Sequence, residues 1–251
     1  MTGQASDVER VALVTGASTG IGLAVAQRLR RDGYALGFHT HGDDAEDRAR
    51  FEEVTGGEGV WIAADLSDPD AAPRLVDEVV SGLGRLDVLV NNAGLTLAKP
   101  ALELTAEDFD AVFAIDVRAA FLLSVAAAEP MRRQGNGAIV NVTSVHEHVP
   151  RLGLALYSAA KVALGMLTRS LAVELAPEIR VNAVAPGAIA TERNVEADGL
   201  SDEIPLGRPG TPEEVAAVVS FLAGDESAYV SGASFVVDGA LIQQVVSQPA
   251  G

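Results

Sequence analysis

Three side chains in the middle of this chain could move a proton together. Tyr157 and Lys161 lie four residues apart, and Ser144 precedes Tyr157 by thirteen. On a helix, positions i and i+4 share a face, so a phenol and an ammonium at this spacing can enter one pocket. A free phenol titrates near about pH 10, and a neighbouring cation favours its ionised form. Such a pair suits general acid/base work close to neutral pH. By itself the spacing also fits two side chains on an exposed helix.

A second constellation is Thr15-Gly16-Ala17-Ser18-Thr19-Gly20-Ile21-Gly22, which follows a short apolar run and opens a helical pattern. Small residues let the backbone approach a pyrophosphate closely. The helix N-terminus offers the anion unpaired N–H groups and a positive dipole end. Strand, glycine turn and helix in that order make a dinucleotide site. The spacing is G-x-x-x-G-x-G rather than G-x-G-x-x-G, and a glycine cluster alone also fits an ordinary tight turn.

Positioning these groups requires alternating strands and helices. Apolar runs at 11–14, 35–38, 60–63, 86–90, 138–142, 181–184 and 234–237 read as strands. Helical patterns occupy 21–32, 43–53, 69–83, 105–133 and 156–175. Another follows Thr211-Pro212-Glu213-Glu214, with proline at its first position and acids in its first turn. The expectation is an α/β protein with a Rossmann-type doubly wound fold, about seven parallel strands covered by helices on both faces. No linker composition divides the chain, so residues 1–251 read as one domain with loose ends at about 1–8 and 246–251. Ser144 falls just past the fifth strand, at the carboxyl end where parallel sheets bind ligands.

Composition narrows the partners. Acidic residues outnumber basic ones by 35 to 18, for a formal charge of −17. That field repels polyanions and argues against nucleic acid and anionic membranes. With no cysteine, disulfides, thiolate catalysis and cysteine metal sites are excluded, and no metal site is read. Residues 1–10 lack the basic start and apolar stretch of a secretory signal. No uninterrupted apolar run of about 18 residues is present, so no membrane span is expected. The reading is a cytoplasmic protein acting on a small molecule.

Taken in order, these blocks resemble the short-chain dehydrogenase/reductase family. The matching positions are the turn at 15–22, Asp65-Leu66 after the third strand, and Asn91-Asn92-Ala93-Gly94 after the fourth. Ser144, Tyr157 and Lys161 follow, then Pro186-Gly187 with Thr191, so the resemblance spans residues 9–240. It implies an NAD(P)(H)-dependent oxidoreductase that interconverts a secondary alcohol and its carbonyl. Tyr157 would be the acid/base, with Ser144 holding the substrate oxygen and Lys161 also binding the nicotinamide ribose. Gly16, Ser18, Gly20 and Ile21 would contact the pyrophosphate or ribose. Asp65 and Leu66 would contact adenine, and Asn92 would pack by the ribose. Pro186, Gly187 and Thr191 would hold the nicotinamide carboxamide. Asp65 equally fits a turn cap, and Asn91 fits a structural brace. The family commonly forms homotetramers, which would use the helices at 105–133 and 156–175 and the apolar segment 240–246.

Three departures from the family pattern matter. Asp116 stands where the family usually has a catalytic asparagine. An ionised carboxylate near Lys161 would favour the protonated lysine and disfavour phenolate, shifting the basic limb of the pH–rate profile. A solvated or capping aspartate is the alternative. At the end of the second strand, Phe38-His39-Thr40-His41-Gly42 carries no acid before Asp43. That permits a 2′-phosphate, to which Thr40 and the histidines could donate, so NADP(H) is favoured and NAD(H) remains possible. Thr19, however, occupies a position where many NADP-specific members have arginine. Ser144-Val145-His146-Glu147 resembles a stretch of bacterial glucose 1-dehydrogenases, and His146 and Glu147 could bond a polyol. The core is also similar to 3-oxoacyl-carrier-protein reductases, whose acidic carrier would be repelled by this charge. A non-catalytic NAD(P) sensor is the competing class, and the presence of both Tyr157 and Lys161 argues against it.

Overall fold

Burial on two sides explains the strand sequences. In β1 (Arg10–Val14), Val11 and Leu13 face one helical layer, while Ala12 and Val14 face the other. Both faces are apolar, so the period of two is hidden inside a continuous apolar run. The computed structural model describes residues 9–192 and 197–243. The loose ends expected at 1–8 and 246–251 lie outside them, as does the end of the 240–246 segment.

The remaining strands are β2 (Tyr34–Thr40), β3 (Val60–Ala63), β4 (Val88–Asn91), β5 (Gly137–Val142), β6 (Ile179–Pro186) and β7 (Ser234–Val237). They form one parallel sheet in the order β3-β2-β1-β4-β5-β6-β7. The order reverses between β1 and β4, which opens a crevice at their carboxyl ends. On one face lie α1 (Gly20–Arg31) and α7 (Pro212–Ala223), with Phe51 of α2 (Ala45–Thr55) reaching the same core. On the other lie α3 (Ala71–Leu83), α5 (Ala120–Gln134) and α6 (Ala155–Glu174), with α4 (Ala106–Phe113) leading into α5. Local chemistry sets the helix starts. Thr105 with Asp108, and Thr211 with Glu214, form reciprocal capping boxes that satisfy N–H groups the helix leaves open.

Two of the differences from the sequence pattern bear on the site. β2 continues two residues beyond 38, because His39 and Thr40 pair in register with Ile62 and Ala63 of β3. The helix expected over 105–133 is interrupted by a π-helical segment, Ala114–Ala119. One wider turn re-aims a side chain without disturbing the apolar periodicity on either side. Part of the helical stretch Ala106–Gln134 is long and apolar enough, by length and composition alone, to cross a membrane. Scattered polar residues hide this in the sequence. Half of that part is buried in the protein's own core, through residues such as Leu123, Ala127 and Met131, as befits a core helix.

Candidate active site

Ser144, Tyr157 and Lys161 meet in one cleft of about 840 Å³ at the carboxyl ends of the strands. Ser144 leaves β5 and caps the short turn Val145–Glu147, its Oγ accepting the His146 N–H at 3.2 Å. The hydroxyl proton is thereby left to donate elsewhere. Tyr157 and Lys161 lie near the N-terminus of α6 and share a face, as their spacing requires. Lys161 Nζ donates to Val142 O at 3.3 Å and lies 5.4 Å from the centroid of the Tyr157 ring. The lysine is buried, so its charge sits behind the phenol rather than in solvent.

The other end of the cleft is built on the glycine turn. Gly16 and Gly20 adopt φ of 62° and 53°, a region that costs other L-residues a steric clash. A Cβ at Gly22 would collide with Gly16 O. Thr19 caps α1 with extended backbone and no side-chain bond, so the first N–H groups of the helix stay available to an anion. Ser18, Thr19 and Ile21 line the cleft here. Leu66, Pro186, Gly187 and Thr191 also line the cleft, and Thr191 lies beside Gly20. Glycine cradle, uncapped helix end and a cleft of this volume together fit a dinucleotide.

Asn92 also lines the cleft, but its amide is committed. Nδ2 donates to Thr15 O at 2.9 Å and to Gly16 O at 3.1 Å, while Thr15 Oγ1 accepts from Asn92 N and Ala93 N at 3.0 Å each. The glycine turn is thus braced against the loop after β4. Sequence alone includes Thr15 in the turn but assigns its side chain no role; its position at the strand–turn junction is the signal available. Asn91 is the brace its position suggested. Its Nδ2 donates to Asn141 Oδ1 at 2.8 Å, and Asn141 Nδ2 donates to Thr168 Oγ1 at 2.9 Å. That buried chain ties β4 and β5 to α6, the elements carrying Ser144, Tyr157 and Lys161.

Several expected ligands point elsewhere. Thr40 is fully buried and its hydroxyl donates to Gly42 O at 2.7 Å, so it does not face the cleft. His39 does line the cleft, but it is buried and both ring nitrogens are taken, by the Gly16 N–H and Ala64 O. Both follow from the extra length of β2. Asp65 lies off the cleft lining; its Oδ1 accepts the Ser67 N–H at 2.8 Å, the turn-capping alternative. Glu147 turns away from Tyr157: Oε2 accepts from Ser234 Oγ at 3.1 Å, and its carboxylate fills the space beside Gly165. His146 stays near the site, edge-on to Tyr157 with centroids 6.2 Å apart. Of the β2 exit, His41 remains exposed on the rim.

Asp116 is carried inward by the π turn. Its Oδ1 accepts the Leu95 N–H at 2.9 Å and lies 3.7 Å from Lys161 Nζ, while Oδ2 is buried and takes no hydrogen bond from the protein. Burial pushes the Asp116 carboxyl above the usual range, opposed by Lys161 and the Leu95 N–H. Gly94 makes room for the pair, since a Cβ there would stand 2.7 Å from Oδ1 and 3.3 Å from Nζ. Asp116 is off the cleft lining, while its neighbour Lys161 is on it.

Sheet order, crossover helices and crevice are those of a Rossmann-type dehydrogenase fold. A family model described as Enoyl-(Acyl carrier protein) reductase matches residues 16–241. The chain is 40% identical over 239 residues to a 3-oxoacyl-[acyl-carrier-protein] reductase of Synechocystis, covering 93% of this chain and 97% of that protein. Among solved structures, acetoin dehydrogenase from Enterobacter cloacae is 41% identical with a TM-score of 0.90, covering 97% of this chain and 100% of that one. A short-chain dehydrogenase/reductase from Serratia marcescens is 38% identical with a TM-score of 0.86, covering 92% and 97%. The chain belongs to the short-chain dehydrogenase/reductase family and is an oxidoreductase of alcohols and carbonyls.

Proposed function

We propose that this protein is a nicotinamide-dependent dehydrogenase/reductase of small secondary alcohols and ketones, with hydroxy ketones such as acetoin as the first substrates to test. The convergence of Ser144, Tyr157 and Lys161 on the cleft that holds the glycine turn carries this reading. In reduction, Ser144 donates a hydrogen bond to the substrate oxygen and Tyr157 delivers the proton to it; oxidation runs the same path backwards. Lys161 keeps a positive charge behind the phenol. A bound nicotinamide dinucleotide would supply or accept the hydride. Leu95, Ile115 and Val142 line the cleft with these residues and suit a small, largely apolar substrate. With Glu147 averted, the polyol reading keeps only His146.

The cofactor reading turns on the far end of the cleft. Two of the groups that favoured NADP(H), His39 and Thr40, are committed inside the fold. Asp44, Glu46 and Asp47 line the cleft beside His41 and Gly42, and Lys161, at the opposite end, is the one lysine or arginine among the described lining residues. Carboxylates there repel a 2′-phosphate, so NAD(H) is the cofactor this arrangement supports. Exposed Val125 on α5, with Met166 and Val173 on α6, supports assembly through these helices into the family's homotetramer. The test is nicotinamide absorbance with purified protein, both cofactors, and a panel of acetoin, cyclic alcohols, glucose and 3-oxoacyl thioesters. Turnover of acetoin or another small alcohol with NAD(H) is expected. Tight cofactor binding without turnover across the panel would instead indicate a sensor.

A further inference from the structure

His39 lines the cleft beside the glycine turn and holds the turn at two consecutive residues. Its ring Nδ1 accepts the Gly16 N–H at 3.2 Å, and its backbone carbonyl accepts the Ala17 N–H at 2.9 Å. On the other side, Nε2 donates to Ala64 O at 3.0 Å. One side chain therefore joins the turn after β1 to the end of β3, across β2. The geometry fixes the tautomer: Nδ1 must be bare and Nε2 must carry the proton.

We infer that His39 is a positioning residue for the dinucleotide: it sets which N–H groups of the glycine turn face the cleft. The inference rests on the dinucleotide reading of that cleft. With the Gly16 and Ala17 N–H groups turned onto His39, the anion is left to the residues from Ser18 into the first turn of α1, where Thr19 leaves the helix end uncapped. The Gly16 N–H is part-buried against the ring, so leaving it without its acceptor has a cost. The ring also reaches Ala64, which lines the cleft as well. The glycine turn and the exit of β3 are thereby joined by a single neutral imidazole. Burial favours the neutral form; His41 beyond β2 acts in the same direction, and Asp47 of α2 opposes it.

The test measures NADH and NADPH affinity by nucleotide fluorescence, alongside steady-state kinetics, for the parent, His39→Phe, His39→Asn and His39→Gln. Asparagine places an acceptor where Nδ1 stands. Glutamine reaches toward Ala64 with a donor and leaves Gly16 N–H without a partner. His39→Phe and His39→Gln should weaken NADH binding by about tenfold or more, with kcat at saturating cofactor within about twofold of the parent. His39→Asn should stay within about threefold of parental affinity. Parental affinity in His39→Phe, or equal affinities in the Asn and Gln variants, would overturn the inference. If His39→Phe does not fold, the Asn–Gln comparison decides. A parent that binds neither dinucleotide would instead defeat the functional reading, so the two failures are distinguishable.

Discussion

The carboxylate of Asp116 stands 3.7 Å from the ammonium of Lys161, and both side chains are buried. The pair exists because a π turn swings Asp116 inward and because Gly94 has no side chain between them. The family's usual asparagine would keep the acceptor for the Leu95 N–H but contribute no charge.

Asp116→Asn should therefore move the basic limb of kcat/KM for carbonyl reduction to lower pH, by roughly half a unit to one unit. Removing an anion beside the lysine favours loss of the proton that the site delivers. The reading is kcat/KM against pH for parent and variant, and superimposable limbs would show that the carboxylate has no electrostatic role.

Tyr157→Phe keeps the ring against His146 and removes the hydroxyl proposed to deliver the proton. A fall in kcat of about 10²- to 10⁴-fold is expected, with NADH affinity within a few-fold of the parent. Isothermal titration and steady-state rates separate the two effects.

The acids at the exit of β2 should set cofactor choice. Replacing Glu46 and Asp47 together by serine should improve NADPH affinity about tenfold at low salt, and less at high salt, with little change for NADH. Asp44 is left in place because its Oδ1 accepts the Asp47 N–H at the start of α2. An unchanged ratio of NADPH to NADH affinity would remove these acids from the argument.

His39 makes folding sensitive to acid. Burial pushes its pKa down from 6.5 to about 4. Because the native state holds the neutral form, its contribution is complete above pH 6.5 and is lost as pH falls through about 4. The shift corresponds to roughly 3 kcal/mol. Urea unfolding at pH 7 and pH 4.5 should show a larger stability loss for the parent than for His39→Asn, which has no group to protonate there.

Val173 on α6 is 79% exposed in the single chain, and Met166, two turns earlier, is 55% exposed. Val173→Asp should shift the assembly toward smaller species in light scattering while leaving the monomer's helical content intact. An unchanged mass would place the interface elsewhere.

How much was legible varied with the range of the interaction. The helix starts at Thr105 and Thr211, the glycine turn, and the Tyr157–Lys161 face depend on residues within a turn or two. Spacing alone placed them correctly. The boundary of β2 was not local. His39 and Thr40 look like loop polar residues until their pairing with Ile62 and Ala63 is known, and that pairing sends both side chains inward.

The sequence by itself determined the alternation of strands and helices, the glycine turn between β1 and α1, and the helix that presents Tyr157 and Lys161, because each is written in local periodicity and residue size. Tertiary structure decided the rest. Register with β3 buried His39 and Thr40, a turn after β3 took up Asp65, and one wider helical turn brought Asp116 to Lys161. Each of these depends on where a distant segment sits, and a single residue of register or helical phase reverses which way a side chain points.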